Sequence, residues 1–175
     1  MIDEPITLGN YDPVWLELFE QEKMVILQAL AEDVLGIEHF GSTAVPGLAA
    51  KPIIDILVGL KQYPMQDHAV NCLKCVGYEC LGEAGVPGRL YFRKRHPIAF
   101  NITAVEYNGT LWKDNLLLRD YLRSHSEERQ RYEQHKRAVI AAGHHQLLAY
   151  SEQKAAIVAD LLIFRGCIEA SLGYF

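Results

Sequence analysis

One short apolar run constrains this chain more than any other feature. Residues 53–58 read I-I-D-I-L-V, which is rich in β-branched side chains and short enough for a buried strand. Asp55 is the only charged residue in the run. Because an ionised carboxylate in a buried strand is costly without partners, Asp55 should meet a metal, a basic side chain or backbone amides. The nearest candidates in sequence are Ser42 and Lys51.

A turn precedes this strand. Residues 37–40 are predicted to form a first strand, and Gly41-Ser42 follows it directly, before a segment broken by proline and glycine that ends at Lys51. Glycine lets the backbone approach a ligand closely. Exposed amides, a serine hydroxyl and a lysine together form a plausible cradle for phosphate oxygens. The G-x-x-x-x-G-K-[ST] phosphate loop does not occur in the chain.

The segment G-S-T-A-V-P-G-L-A-A-K-P-I-I-D-I, residues 41–56, resembles the signature of the GrpB family, whose members resemble the nucleotidyltransferase superfamily. That superfamily has a Gly-Ser turn followed by a strand with one or two metal-binding carboxylates. Here residues 43–54 separate Ser42 from Asp55. The resemblance implies a nucleotidyltransferase-like fold in which Asp55 is the catalytic residue and the ligand of Mg²⁺.

Three motifs in the second half of the chain also resemble motifs of the family, and they add basic residues to the candidate site. Residues 118–123, L-R-D-Y-L-R, resemble the family's F-R-D-Y-L-R, and Y-x-x-x-K and Y-S-x-x-K end at Lys136 and Lys154. Arg119 can either bind phosphate with two hydrogen bonds or form ion pairs on a solvated helix face. The basic strand that includes Arg93 can either face a ligand or lie at a solvated edge of the sheet. The resemblance implies a phosphate-binding set of Gly41, Ser42, Lys51, Arg93, Arg119, Lys136 and Lys154.

Two features depart from the family pattern. Leu57 stands on the same strand face as Asp55, where active nucleotidyltransferases usually have a second carboxylate. Asn101 and Thr103 stand where GrpB-like sequences commonly have an H-x-H pair. An amide and a hydroxyl are poor substitutes for imidazole as metal ligands or proton carriers. Glu106 is an additional carboxylate, although its strand parity places it with the apolar positions.

The pattern of elements predicts an α+β domain with a mixed sheet, flanking helices and a helical C-terminal part. We expect one domain over residues 1–175, with the sheet in about 1–108 and helices in 109–175. Predicted helices run from Asp12-Pro13 to about Leu35, with Gly36 as terminator, and from Pro64 to Gly77. Three further helices are expected to begin at Gly109, at a Ser124/Glu127 capping box and at Ser151.

Composition excludes several classes of protein. A net charge of −5 and a pI near 5.8 argue against stable nucleic-acid binding through a basic surface. No apolar run reaches the roughly 18 residues of a membrane span, and the N-terminus does not resemble a signal peptide, so we expect a cytoplasmic protein. The four cysteines, Cys72, Cys75, Cys80 and Cys167, are interpreted as buried free thiols rather than a zinc site.

Two functions remain open. The first is an enzyme that binds a nucleoside triphosphate or a similar phosphorylated small molecule with Mg²⁺ and transfers a nucleotidyl group to an unknown acceptor. The second is a catalytically degenerate nucleotide or anion binder. Asp55, Ser42 and Lys51 favour the first, whereas Leu57 and the Asn101/Thr103 pair favour the second. The sequence does not indicate the acceptor, the base or the oligomeric state.

Overall fold

A computed structural model describes residues 3–163 of the chain, except for the side chains of residues 154–156 and 162–163. Within residues 3–163, five α-helices and five strands follow one another in the order α1, β1, β2, α2, β3, β4, β5, α3, α4, α5. Their bounds are α1 Val14–Leu30, β1 Val34–Phe40, β2 Ile54–Leu60, α2 Asp67–Cys75, β3 Glu79–Cys80, β4 Leu90–Lys94, β5 Phe100–Glu106, α3 Thr110–Ser124, α4 Ser126–Ala141 and α5 Leu147–Ile163.

The five strands form one mixed sheet in the order β1-β2-β5-β4-β3. β2 runs parallel to β5, and every other neighbouring pair is antiparallel. The register pairs Asp55 with Phe40 on one side and with Asn101 on the other. Because paired residues project to the same face of a sheet, these side chains share one face. The predicted α+β fold with a mixed sheet, flanking helices and a helical C-terminal part is confirmed.

The opposite face of the sheet forms the main core. α1 and α2 pack on it, and Ile54, Ile56, Phe92 and Ile102 are almost completely buried there. α1 begins at Val14, one residue later than predicted, with Pro13 at the N-cap position; the Asp12 carboxylate still accepts a hydrogen bond from the Val14 amide at 3.0 Å. Because α1 and α2 cover this face, the C-terminal helices pack against the other face of the sheet, which carries Asp55.

Two glycines allow α3 to pack on part of the Asp55 face. Gly36 of β1 pairs with Gly59 of β2. A Cβ at either position would lie within 2.8 Å of the Trp112 ring, and Tyr107 lies comparably close to Gly59. The prediction that Gly36 ends the first helix was therefore wrong. α1 ends at Leu30, a 3₁₀ turn over Ala31–Asp33 follows, and Gly36 lies inside a strand.

Three predicted helix starts were also wrong. α2 begins at Asp67 rather than at Pro64. Ser124 does not cap α4: its hydroxyl donates to the carbonyls of Asp120 and Tyr121 at the end of α3, and His125 takes the N-cap position. α5 begins at Leu147, so Ser151 is already inside the helix.

The remaining predictions on architecture have mixed outcomes. α3 begins after Gly109 as predicted, and residues 82–88 connect β3 to β4. The basic strand β4 is not at the sheet edge, because the two-residue strand β3 pairs with it. The division of the chain into one domain stays a prediction. In the stretch 3–163, none of the helices combines the length and the apolar character that crossing a membrane would need.

Candidate functional site

A cavity of about 1030 Å³ lies between the Asp55 face of the sheet and the helices α3 to α5. The turn after β1 and the loop of residues 82–88 complete its wall. Five of the residues predicted from the sequence line it together: Gly41, Ser42, Lys51, Asp55 and Arg119. The cavity therefore brings the Gly-Ser turn, the strand carboxylate and a cation of the helical half into one concave space.

The Gly-Ser turn is a short 3₁₀ helix over Ser42–Ala44 that begins immediately after Gly41. Gly41 has a φ of 70°, a left-handed conformation that favours glycine. A Cβ at this position would lie only 2.7 Å from Asp55 Oδ2. Gly41 is thus required twice, once for its backbone conformation and once because the carboxylate packs directly against its Cα.

We expect Gly41→Ala to lower the free energy of unfolding more than Gly47→Ala does. Both glycines have a positive φ, which costs alanine about 1–3 kcal/mol, and Gly41, with a ψ of −169°, lies in a region that almost only glycine adopts; a Cβ at Gly47 meets nothing within 4 Å. The clash with Asp55 should add about 1 kcal/mol or more at Gly41. Urea unfolding of both variants measures the difference. Equal losses would show that Asp55 moves aside without cost.

One partner of Asp55 is a side-chain amide that the sequence did not single out as its partner. Asn101 Nδ2 donates to Asp55 Oδ1 at 2.7 Å. Asn101 Oδ1 in turn accepts from Arg95 Nη2 at 3.0 Å, and Arg95 forms a two-pronged ion pair with Glu4. The sequence prediction missed Arg95 and Glu4. The signal available was weak, because Arg95 is only the last of three basic residues and Glu4 is 91 residues away.

Arg119 holds β1 as well as lining the cavity. Its Nη1 donates to Glu38 Oε2 at 2.7 Å and to the His39 carbonyl at 3.0 Å, while Nε donates to Asp120 at 2.8 Å. Burial opposes the charge, but the hydrogen bonds of Asp120 and Glu38 outweigh it and raise the pKa of Arg119. Its guanidinium is therefore a permanent positive charge at the cavity wall.

Lys136 lies on the buried side of α4, with only 1% of its surface exposed. Its ammonium donates to Ser42 Oγ at 3.1 Å and to the Ala49 carbonyl, and it lies 4.7 Å from the centre of the Tyr132 ring. Glu133, one turn earlier, accepts from the Ala49 amide at 3.1 Å. Lys136 thus reaches the site through Ser42 and not through the cavity wall; its contact with a phosphate stays a prediction.

Two of the predicted cations remain, Arg93 and Lys154. Arg93 pairs with Asn101 in the sheet, but its guanidinium donates to Glu79 at 2.8 Å and it is not among the residues that line the cavity. Lys154 lies in the interior of α5, because the helix begins at Leu147 and not at Ser151, as the sequence had suggested. The side chain of Lys154 lies outside the described residues.

Two further side chains of the site were not predicted. Tyr91 lines the cavity, and burial, together with the negative charge of Asp55, raises its pKa to about 12, so its hydroxyl stays protonated. His39 stacks on Phe19 with ring centres 4.8 Å apart, and its Nε2 lies 3.0 Å from Thr43 Oγ1. Burial lowers the pKa of His39 to about 4. The neutral His39 ring therefore holds the turn in place through its hydrogen bond with Thr43.

The described part of the chain offers few metal ligands. Among residues 3–163 there is no group of three or more His, Cys, Asp or Glu side chains that could hold a metal ion. Glu106 and Asp114 also line the cavity, and burial raises the pKa of the Asp114 carboxyl. Cys72, Cys75 and Cys80 are free thiols, as predicted, but their predicted burial was wrong, because Cys75 is exposed and Cys72 and Cys80 are only half-buried. Cys167 lies outside the described residues.

Comparisons with known proteins agree with this fold. Residues 5–163 match the family described as GrpB protein. The chain is 32% identical to the Glutamate-rich protein GrpB of Alkalihalophilus pseudofirmus, over 90% of this chain and 94% of the relative, and 34% identical to UPF0157 protein SCO7215 of Streptomyces coelicolor, over 87% and 80%. The crystal structure of GrpB from Enterococcus faecalis is similar, with a TM-score of 0.79 and 32% identity, over 91% of this chain and 99% of that one.

Proposed function

Because the chain belongs to the GrpB family, and because its cavity joins a Gly-Ser turn to a strand carboxylate, we propose that it binds a nucleoside triphosphate or a similar phosphorylated small molecule with one Mg²⁺. The observation that carries the proposal is the contact between Gly41 and Asp55. It places a carboxylate directly beside a turn whose backbone can approach phosphate oxygens.

The charges around this contact suit a phosphate bound with a metal. Lys51 and Arg119 line the same cavity, and both can neutralise phosphate oxygens. Asp55 would repel a bare phosphate but attracts a divalent cation that the phosphate carries. The proposed roles are therefore complementary. Asp55 would contact the metal ion, while the turn, Lys51 and Arg119 would contact the phosphate oxygens.

The residues present fit a Mg²⁺ ion that arrives with its ligand. Mg²⁺ is usually held by one or two carboxylates together with phosphate oxygens and water. Asp55 supplies one carboxylate, and within residues 3–163 no cluster could hold a metal by itself. When bound, the ion would neutralise charge on the phosphates. Lys136 and Glu133, through Ser42 and Ala49, would keep the turn in position.

Nucleotidyl transfer to an acceptor is the second candidate, and the size of the cavity favours it. A volume of about 1030 Å³ is at the upper end of the pockets that hold one drug-sized ligand, which leaves space for an acceptor beside a nucleotide. The chemistry of such a transfer consists mostly of positioning and charge neutralisation. Pyrophosphate release from a panel of triphosphates separates transfer from binding alone.

We expect a panel of nucleoside triphosphates with Mg²⁺ to raise the melting temperature of the full chain, and Asp55→Asn to remove the Mg²⁺-dependent part. A ligand at a hundredfold excess over its Kd stabilises by about 2.7 kcal/mol, which corresponds to roughly 5–10 °C for a protein of this size. The amide oxygen that Asp55→Asn introduces can still accept the hydrogen bond from Asn101, so the fold should persist. Thermal-shift assays with and without Mg²⁺ measure both effects.

The matched control is Glu106→Gln, which removes another cavity carboxylate at the end of β5. It should keep the Mg²⁺-dependent shift. An equal loss in both variants would mean that the general charge of the cavity, and not Asp55, attracts the cation. If no triphosphate shifted the wild-type melting temperature, the proposed ligand class would be wrong.

A further inference from the structure

We infer that Asn101, oriented by Arg95, is a positioning residue that limits Asp55 to a divalent cation already bound to phosphate. The inference deepens the proposed function and rests on it. It starts from a continuous hydrogen-bonded chain that runs from Glu4 through Arg95 and Asn101 to Asp55. This chain ends at the carboxylate beside the Gly-Ser turn.

Arg95 is the fixed member of the chain. Its Nε and Nη2 donate to the two carboxylate oxygens of Glu4 at 2.8 and 2.7 Å, and its Nη1 donates to the carbonyls of Lys94 and Phe100 at 3.1 Å. A two-pronged arginine–carboxylate pair holds the guanidinium plane in one orientation. The Nη2 group that also donates to Asn101 therefore has little freedom to turn away.

Arg95 decides which way the Asn101 amide points. Asn101 is only 2% exposed, and a guanidinium has donors but no acceptor, so the amide must present Oδ1 to Arg95. Its NH₂ group then faces Asp55 and donates to Oδ1 at 2.7 Å. One oxygen of Asp55 is thus occupied by a neutral donor, while Oδ2 lies beside Gly41 and the turn.

The neutral amide sets how much negative charge a cation would find. A carboxylate at position 101 would lie within hydrogen-bond distance of Asp55, and two adjacent carboxylates attract a cation or a proton strongly. The amide supplies no such charge, and its NH₂ group occupies one oxygen of Asp55 with a hydrogen bond. We therefore expect the wild-type site to bind a divalent cation poorly by itself, and well when phosphate oxygens supply the remaining ligands.

The experiment titrates the full chain with Mn²⁺ and follows the ion by electron paramagnetic resonance, first alone and then with adenosine triphosphate. Mn²⁺ alone should bind Asn101→Asp about tenfold more tightly than the wild type, because ligand charge sets the affinity for a hard cation. Asn115→Asp is the matched control. Asn115 lines the same cavity, but its Nδ2 donates to the Leu111 carbonyl and not to Asp55, so the added charge should leave the affinity nearly unchanged.

A second variant tests the orienting role. Arg95→Met should bind Mn²⁺ alone severalfold more tightly than the wild type, because the Asn101 amide is then no longer held with its NH₂ group on Asp55. Wild-type protein that binds Mn²⁺ alone as tightly as Asn101→Asp would overturn the inference, as would equal gains in the two aspartate variants. If Asn101→Asp does not fold, tight binding of Mn²⁺ alone by the wild type would still overturn it. Failure of the proposed function has a different signature, since the triphosphate would then only compete with the protein for Mn²⁺ and lower the amount of bound ion in every variant.

Discussion

Leu57→Asp is expected to lower the free energy of unfolding by more than about 4 kcal/mol, because it buries a charge without a partner. Leu57 has no exposed surface and packs against Val105 and Trp112 under α3. Urea unfolding with a circular dichroism readout measures the loss, and a failure of the variant to fold would agree with it. The matched control is Leu57→Met, which keeps the volume and should cost less than about 1.5 kcal/mol.

This result would correct an expectation that the sequence alone suggests. Leu57 shares a strand face with Asp55, so an aspartate at this position should in principle add a metal ligand. In the structure α3 covers that part of the face, and the side chain points into an apolar cluster. A stable Leu57→Asp protein with higher Mg²⁺ affinity would show that α3 can move away from the sheet.

Lys136→Ala is expected to cost about 3 kcal/mol of unfolding free energy and to weaken triphosphate binding. The variant leaves a cavity under the turn and removes the donor to Ser42 and to the Ala49 carbonyl. Arg137→Ala, at the next position, is the control. Arg137 is half-exposed and pairs with Glu133 on the surface, so its loss should cost less than about 1 kcal/mol.

The two readouts for Lys136 separate a structural role from direct contact with a ligand. Urea unfolding reports stability, and isothermal titration with a triphosphate and Mg²⁺ reports binding. We expect both to fall together, because Lys136 acts on the ligand through the turn. Weaker binding at unchanged stability would instead place the ammonium on the phosphate itself, as the family resemblance implies.

The sequence was informative where function depends on neighbouring residues. Gly41, Ser42 and Asp55 lie close together because one turn and one strand connect them, and turn residues beside a short apolar run are readable signals. The start of α3 after Gly109 was readable for the same reason. In each case the deciding interaction is local.

The sequence was uninformative where two distant segments compete with a local pattern. Gly36 resembles a helix terminator, and only the Trp112 ring, which lies against it, explains a glycine inside β1. The link between Arg95 and Glu4 joins two segments that no periodicity connects. Tertiary contacts of this kind override local propensity.

The hydrogen bonds around the turn have a kinetic consequence. Asp55 and Asn101 are 46 residues apart in the chain, Arg119 and Glu38 are 81 apart, Arg95 and Glu4 are 91 apart, and Lys136 and Ser42 are 94 apart. Contacts between such distant residues form only after long loops have closed, which is slow compared with helix formation. We therefore expect the site to be assembled late during folding. If the chain binds a ligand as proposed, that binding should report that segments from both halves of the described chain, and not only one hairpin of the sheet, have reached the native state.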